Sequence, residues 1–385
     1  MAASIPVLLV SAATRSYGTA RTPRALAKAG FEVTLLTPRN ALAEASRFVT
    51  RVAYLPDSAT PLEWIHAVAA TVRAISPRQV IPCDDVSFRL LAMLALSPPP
   101  QMQPALQAEL AGLVHASLGN PDYFEASVDA TLLYAAAAQA GVRVPGHAVI
   151  GSPEEAHAYA ERAGYPVVVK RPHAAAGDGA RIVADAPALT VAVSEMGAPQ
   201  RDGFEPDATR RLMIQRYIDG VLCYQDVAAW QGRYLAGYAA DRLEAHGGPL
   251  GFGTVVRVHD SPALRDFSAQ LVEAFGMTGL FACEYMLEKS TGLPYLLEIS
   301  RRISPGTHFG GVMNVDLCAA LHAAMLGIAS PTRGRPDPGE ERIFVQFPGE
   351  WLRNPQSPWL RRYPVDVPWD DPELLDAMLA LRNEP

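Results

Sequence analysis

The chain begins with short apolar runs separated by helical segments, and this alternation limits the fold more than any other feature of the sequence. Residues 5–10 (IPVLLV) and 31–38 (FEVTLLTP) are typical of buried strands, and the segment between them predicts a helix that ends at Gly30. A second helix and the strand QVIPC, residues 79–83, extend the series. Strands that alternate with helices form a parallel sheet, because each helix carries the chain back along the sheet. We therefore predict an α/β domain at the start of the chain.

Polar residues stand where two of these strands end. Asp84 and Asp85 follow QVIPC, and residues 15–18 (RSYG) follow the first strand. Open α/β sheets bind ligands at the carboxyl ends of their strands, so these residues are candidates for ligand contact. The same residue types also cap helices, and the sequence leaves both roles open.

The pattern changes after a proline-rich turn at residues 97–104 and a helical stretch at residues 105–145. Short strands, single helices and a hairpin with Gln231-Gly232 at its turn follow, which is typical of an α+β arrangement. Within the helical stretch, TLLYAAAAQA (131–140) is interpreted as a helix that only packs.

Two later segments are interpreted as irregular. Residues 241–253, DRLEAHGGPLGFG, predict a glycine-rich loop that leads into a strand. Residues 331–385 contain many prolines and predict an irregular C-terminal extension packed on the main body.

Lys170 stands at the end of the apolar strand in GYPVVVKRP, residues 164–172. It is one of only three lysines, and arginine supplies the other basic side chains. A compact ammonium group binds phosphate oxygens as a point charge, and this context favours such a role. The alternative is an exposed lysine that only aids solubility.

A second polar signal lies in residues 283–300, CEYMLEKSTGLPYLLEIS, which predict two strands joined by a turn. Each strand carries a glutamate, Glu284 and Glu298. A carboxylate inside an apolar strand is costly to bury without a partner, so we expect a metal ion or a basic group beside Glu298. A lysine for phosphate and carboxylates for magnesium are the outline of an ATP site. Glu288 would replace Glu284 if the strand register shifted.

Composition argues against several classes of partner. The formal net charge of −7 is unfavourable for nucleic acid as the main partner. No apolar run approaches the roughly 20 residues that span a bilayer, and the first residues lack the basic segment of a signal peptide. The four cysteines are widely spaced and predict reduced thiols rather than zinc ligands or disulfides. We therefore expect a cytoplasmic protein without nucleic-acid or membrane partners.

The order and spacing of GYPVVVKRP, LMIQRYIDG, CEYMLE and PYLLEISRR resemble the ATP-grasp superfamily, and in particular its carboxylate–amine ligases. The resemblance implies a Rossmann-like N-terminal domain and a two-subdomain ATP-grasp fold that holds ATP between antiparallel sheets. The implied boundaries are residues 1–112 for the Rossmann-like domain, 113–330 for the ATP-grasp domain, 147–210 for its lid, 211–330 for its C-terminal subdomain and 331–385 for a C-terminal extension.

Carried over residue by residue, the resemblance implies a nucleotide site. Lys170 would bind the α- and β-phosphates, and the small residues of the loop 174–180 would close over them. Leu222 stands where relatives often have an acidic residue for the ribose, so Asp226 is the candidate for that contact. The remaining nucleotide-binding candidates are Gly177 and Gly179 in the loop and Gln215, Arg216, Tyr217 and Ile218 in the hinge that holds adenine.

The resemblance also implies metal ligands and a catalytic arginine. Glu284, Glu298 and Ser300 would bind two Mg²⁺ ions, with Glu298 as the bridge and Ser300 in place of the family's asparagine; Mn²⁺ could replace Mg²⁺. Arg302 would stabilise the transferring phosphoryl group, and the spacing from Glu298 favours it over Arg301.

Two further basic side chains are candidates for substrate contact. Arg257, after GFGTVV, is placed to meet a substrate carboxylate, or else it is a solvated strand residue. His308 either contacts substrate or is satisfied by the backbone of its loop.

One position departs from the family pattern near the phosphates. Ala130 follows Asp129 where many relatives have a lysine, so Arg171 or Arg181 would have to supply that contact.

The activity implied by the resemblance is C–N bond formation. A carboxylate, such as an amino acid or a similar small acid, would take the γ-phosphoryl group of ATP, and an amine would capture the acyl phosphate. A homodimer is a further expectation. The alternatives are a nucleotide-binding protein that has lost ligase activity, and an ATP-dependent carboxylase or phosphotransferase.

Overall fold

The computed structural model describes residues 4–56, 60–173, 179–197, 211–248 and 251–383. Its N-terminal part has the predicted parallel sheet, in the order β3-β2-β1-β4. The strands are β1 (Ile5–Val10), β2 (Phe31–Thr37), β3 (Arg51–Tyr54) and β4 (Gln79–Pro82), and the helices between and after them are α1 (Tyr17–Ala29), α2 (Pro61–Ile75) and α3 (Asp85–Leu96). Because helices cover both faces of β1, its residues 7–10 are fully buried.

The stretch predicted as helical, residues 105–145, contains two helices, α4 (Pro104–Leu118) and α5 (Ala130–Gln139). Helix α4 packs on α3 and β4, and Leu110, Val114 and Leu118 join the apolar core around β1. The boundary predicted at residue 112 therefore falls inside a helix that packs on the N-terminal sheet.

The predicted lid is an antiparallel sheet of four strands with helices on one face. In the order β5-β8-β6-β7 it contains β5 (His147–Ile150), β6 (Val167–Lys170), β7 (Ala180–Val183) and β8 (Leu212–Arg216), with α6 (Pro153–Ala163) and α7 (Ala186–Met196). Strand β8 was predicted to lie outside the lid, but it pairs with both β5 and β6 and so belongs to the lid sheet.

The largest sheet is antiparallel, in the order β13-β12-β9-β10-β11-β14. Its strands are β9 (Gly220–Trp230), β10 (Arg233–Ala245), β11 (Gly253–His259), β12 (Gly279–Glu288), β13 (Pro294–Ser300) and β14 (Glu341–Val345), and helices α8 (Pro262–Ala274) and α9 (Leu317–Leu326) pack on it. The predicted hairpin turn is confirmed, because Gln231 and Gly232 both have positive φ, +50° and +73°. Residues 241–245 extend β10 and are not a loop.

The C-terminal extension is not irregular throughout. It supplies β14, which pairs with β11, and the helices α10 (Gly349–Arg353), α11 (Trp359–Arg362) and α12 (Pro372–Ala380). Helix α12 packs against residues 42–45 of the N-terminal part, where buried Asp371 accepts hydrogen bonds from Ser46 Oγ at 2.6 Å and Arg47 N at 3.0 Å. The extension thus connects the large sheet to the N-terminal sheet. Among the described residues, no helix combines the length and apolar character that a bilayer crossing requires.

Candidate active site

A cavity of about 330 Å³ opens where the lid, the large sheet and the N-terminal part meet. Its volume lies at the lower end of the range of small-molecule sites, roughly 300–1,000 Å³. Lys170 enters it from the lid, Glu284 and Glu298 from the large sheet, and Asp85 from the start of α3. The polar residues that the sequence predicted from separate segments therefore face one space.

The ammonium group of Lys170 is held in place by Tyr134 of α5. Lys170 Nζ donates to Tyr134 Oη at 2.9 Å and lies 4.7 Å from the centre of the tyrosine ring, while Tyr134 Oη contacts Gln215 Oε1 at 3.0 Å. Burial lowers the pKa of Lys170 to about 8, although Glu298 and Glu284 act to raise it. The prediction that the helix of Tyr134 only packs was wrong, because Tyr134 orients the lysine.

Glu284 and Glu298 lie directly opposite each other on β12 and β13. Burial and then the charge of Glu298 raise the pKa of Glu284 to about 8, and burial and then Asp85 raise the pKa of Glu298. Glu288 is outside the cavity and pairs with Arg216 at 2.8 Å, so the strand register places Glu284 in the site. Two buried carboxylates side by side repel each other and favour a bound cation.

The residues present fit a magnesium ion that is shared with a phosphate ligand. Ser300, 2% exposed, lies beside Glu298, with Oγ 3.3 Å from Oε1. Within the described ranges, no group of three or more His, Cys, Asp or Glu side chains could hold a metal ion. Magnesium often uses one or two protein carboxylates and takes its other ligands from water and substrate phosphates. Glu284 and Glu298 match that requirement.

Arg302 faces these carboxylates, whereas Arg301 does not. Arg302 Nε lies 3.2 Å from Asp85 Oδ1, and although burial lowers its pKa, the charges of Asp85, Glu284 and Glu298 produce a net rise. Arg301 is 3% exposed, donates to Leu118 O and lies among the rings of three phenylalanines. Arg302 is therefore the arginine placed to act on a ligand.

The two aspartates after β4 have different roles. Asp84 caps α3 by accepting from Ser87 N at 2.8 Å, and its other oxygen accepts from Ala12 N at 2.7 Å. Asp85 lines the cavity and pairs with Arg302. One of the two candidates is thus a helix cap and the other belongs to the site.

The side chains of the predicted hinge do not all face the cavity, because neighbouring residues of a strand point to opposite sides. Gln215, Tyr217 and Ile218 line the cavity, whereas Arg216 points away and pairs with Glu288. Arg216 can thus contribute only main-chain groups to a nucleotide.

The phosphate loop is only partly described. Gly179 lines the cavity, while Gly177 lies outside the described residues. Of the two arginines considered in place of the family's lysine, Arg171 lines the cavity and Arg181 pairs with Glu195 away from it. His173, which the sequence did not single out, lines the cavity with Nε2 3.6 Å from Asp129 Oδ2.

Three other candidates have contrasting positions. Arg257 is not brought together with the rest, because its Nη2 lies 2.7 Å from Asp241 Oδ2 and the residue does not line the cavity. His308 likewise lies outside and contacts Asp366 Oδ2 at 2.9 Å. Asp226 lines the cavity and is 4% exposed.

The sequence also missed Arg242, which lines the cavity from β10. Its Nη1 donates to Gly251 O at 2.6 Å. The prediction of a loop over residues 241–253 hid this residue, since only a strand assignment gives alternate residues a common face.

The paired carboxylates predict a pH-dependent stability in the absence of nucleotide and divalent cations. The pKa of Glu284 rises from 4.5 to about 8 on folding, so the stability associated with its protonated form is present below pH 4.5 and is lost as the pH rises through 8. Glu284→Gln removes this loss. The variant should be more stable than the wild type. The difference between their free energies of unfolding should be larger at pH 8 than at pH 5 by at least about 1 kcal/mol.

Urea unfolding with a chelator at the two pH values tests this prediction. Glu273→Gln, an exposed change on α8, is the control and should give equal differences at both. A gain for Glu284→Gln that is no larger at pH 8 than at pH 5 would contradict the prediction.

Sequence comparisons point to nucleotide-binding relatives. Residues 129–224 match the family model of the carbamoyl-phosphate synthase L chain, ATP binding domain. The carbamoyl phosphate synthase large chain of Streptomyces griseus is 28% identical over 196 residues, which are 48% of this chain and 17% of that protein. The chain spans less than a third of the length of the curated relatives it matches.

Solved structures share the fold at low identity. The biotin carboxylase domain of Hydrogenobacter thermophilus 2-oxoglutarate carboxylase has a TM-score of 0.65 and 16% identity, over 88% of this chain and 73% of that one. The L-amino acid ligase of Bacillus licheniformis has a TM-score of 0.63 and 17% identity, over 89% and 80% of the two chains. These structures share their fold with this chain, and together with the family-model match over residues 129–224 they support the resemblance to the ATP-grasp superfamily that the order of the motifs indicated.

Proposed function

We propose that the protein is an ATP-dependent ligase that joins a small carboxylate to an amine through an acyl phosphate. The observation that carries the proposal is the meeting of Lys170, Arg302 and the facing pair Glu284 and Glu298 in one cavity. A site with a cationic side chain from the lid, and with two carboxylates and a second cation from the large sheet and the loop that follows it, suits a polyphosphate with bound metal.

The side chains have separable tasks in this reaction. Lys170, fixed by Tyr134, would bind phosphate oxygens, and an anionic ligand would restore the full charge that burial disfavours. Arg302 would hold the oxygens of the γ-phosphoryl group as the substrate carboxylate attacks the phosphorus. Mg²⁺ bound by Glu284 and Glu298 would offset the charge of the phosphates. The walls would position both reactants and the lid would exclude water, which would supply most of the rate.

The relatives support ATP, magnesium and small substrates. The Hydrogenobacter thermophilus domain was determined as a dimer with MgADP, ADP and bicarbonate, and a carboxyaminoimidazole ribonucleotide synthase was determined with ATP. On this basis we propose ATP, two Mg²⁺ ions, an amino acid or similar acid, and a homodimer. Bicarbonate is the second candidate for the acid, because a related structure contains it in its complex.

The decisive experiment is ADP release across a matrix of acids and amines. The panel holds the twenty amino acids, other small carboxylates and bicarbonate, each tested with and without small amines and with mass detection of products. We expect ADP only when an acid and an amine are both present, together with their amide. Release with bicarbonate alone would favour a carboxylase, and no release from any mixture would contradict the proposal.

Removal of the lysine charge should weaken nucleotide binding. We expect Lys170→Ala to make ATP binding less favourable by about 1–3 kcal/mol, the range of a charge-assisted hydrogen bond. Calorimetry measures this. Lys289→Ala is a matched control, because Lys289 is exposed, does not line the cavity and pairs through Nζ with the exposed Asp219 at 2.9 Å. Equal ATP affinities for the two variants would exclude the phosphate role of Lys170.

Removal of the bridging carboxylate should stop turnover without unfolding the protein. Glu298→Gln keeps the shape and removes a buried negative charge, so the ligand-free fold should be retained or gain stability. ATP turnover should fall at least about a hundredfold, the usual loss for one main electrostatic stabiliser, and nucleotide binding should lose most of its dependence on Mg²⁺. Near-native, Mg²⁺-dependent product formation would show instead that Glu298 is only a structural partner of Arg302.

A further inference from the structure

Among the cavity residues of β9, the one farthest from the hinge along the strand is a carboxylate, Asp226. Strand β9 leaves the hinge and crosses the cavity with every second residue lining it, and each of these residues faces a cavity residue of β12. The pairs are Leu222 with Met286, Tyr224 with Glu284, and Asp226 with Ala282. At about 3.3 Å per residue, Asp226 lies about 7 Å beyond the Tyr224–Glu284 pair, on the side away from the hinge.

This order argues against a ribose contact for Asp226. In ATP the ribose lies between adenine and the phosphates, so it belongs between the hinge and Glu284. Asp226 lies on the other side of Glu284, where the space beyond the transferring phosphoryl group would be. That space must hold the molecules that react with ATP.

Asp226 is oriented by the turn that follows Arg302. Its Oδ1 accepts a hydrogen bond from Ser304 Oγ, and Ser304 Oγ in turn accepts one from Gly306 N at 3.1 Å. The single hydroxyl proton of Ser304 is therefore directed to Asp226. Tyr238 of β10 fixes the turn by donating to Gly306 O. A Cβ on Gly306 would lie 3.6 Å from Asp226 Oδ2, so the glycine keeps the space beside that oxygen free of a side chain.

Charged and titratable groups on three neighbouring elements interact with Asp226. They are Arg302 after β13, Tyr238 on β10 and Cys283 on β12. Burial raises the pKa of Asp226 to about 7, although Ser304 and Arg302 act to lower it. A carboxylate with this pKa can accept a proton and release it again near neutral pH.

We propose that Asp226 binds the amino group of the acceptor substrate through Oδ2 and takes up its proton during amide formation, which rests on the ligase function proposed above. The acceptor arrives as an ammonium ion and gives one proton to Asp226. Its nitrogen then attacks the carbonyl carbon of the acyl phosphate. The C–N bond forms, and the bond between the carbonyl carbon and the phosphate oxygen breaks. The released phosphate carries away the second proton of the amine nitrogen.

The surroundings define the class of acceptor. Apart from Ser304 and Arg302, the cavity wall near Asp226 includes Ala282, its neighbour on β12, and the ring of Phe309 beside Gly306. A single buried carboxylate in such a wall attracts an ammonium group and repels an anion. The site therefore selects a primary amine or an α-amino group as the acceptor and disfavours an anion in that position.

Hydroxylamine separates the amine step from acyl phosphate formation. It is mainly unprotonated at neutral pH and captures acyl phosphates without a base. With an acid and an amine that the wild type couples, Asp226→Asn should lose about a hundredfold or more in kcat/KM for the amine, while acid- and ATP-dependent hydroxamate formation should change by less than about threefold. Hydroxamate formation also demonstrates that the variant is folded.

A second variant tests the positioning role of Ser304. Its hydrogen bond lowers the pKa of Asp226, so Ser304→Ala should move the acidic limb of kcat/KM for the amine to higher pH and leave the hydroxylamine profile unchanged. Glu273→Gln should alter neither profile.

The outcomes distinguish the inference from the function on which it rests. Unchanged amine kinetics in Asp226→Asn, or equal loss of amide and hydroxamate, would overturn the role of Asp226 and leave the ligase function intact. A wild type that forms neither amide nor hydroxamate would overturn both.

Discussion

The antiparallel pairing of β12 and β13 holds two carboxylates face to face in the cavity. Their mutual repulsion is the interaction that makes the cavity favour cations. Glu284 and Glu298 cannot separate without a change in strand register, and the register is fixed by the buried residues on the opposite face of the sheet. The free energy that this arrangement costs in the empty protein is recovered when cations neutralise it. Lys170 and Arg302 supply part of that neutralisation from the lid and from the loop after β13.

Three parts of the chain contribute to one cavity. The lid has a core of its own, whereas the N-terminal sheet and the large sheet share an apolar cluster. The N-terminal sheet positions Asp85 at the start of α3, the lid sheet positions Lys170, and the large sheet positions the glutamates. Asp85 contacts Arg302 across the junction, so the N-terminal part influences the electrostatics of the site as well as its shape.

The sequence predicted what local patterns determine. Apolar strands with a polar residue at a defined place revealed Lys170 and the facing glutamates, and turn chemistry revealed the hairpin at Gln231-Gly232. The contact of Tyr134 with Lys170 was not predictable, because it depends on which face of an alanine-rich helix meets the lid. Arg257 was assigned to the site from its strand, but the neighbouring Val256 is the residue that lines the cavity. Alternation predicts two faces, and only the packing of the sheet shows which one faces inward.

Strand β14 was missed because its partner β11 lies far away in the sequence, and a short run such as ERIFV has no local feature that marks it as a strand. Such pairing becomes visible only in the assembled sheet.

The inclusion of β8 in the lid sheet has a mechanical consequence. The chain enters the lid after α5 and leaves it directly from β8 into β9, so two covalent connections hold the lid, one from α5 and one to the large sheet. Two points of attachment define an axis and favour rotation about it over sliding. The second attachment contains Tyr217 and Ile218, which line the cavity. Any ligand that packs on these residues therefore contacts the connection through which the lid sheet, and Lys170 with it, joins the large sheet.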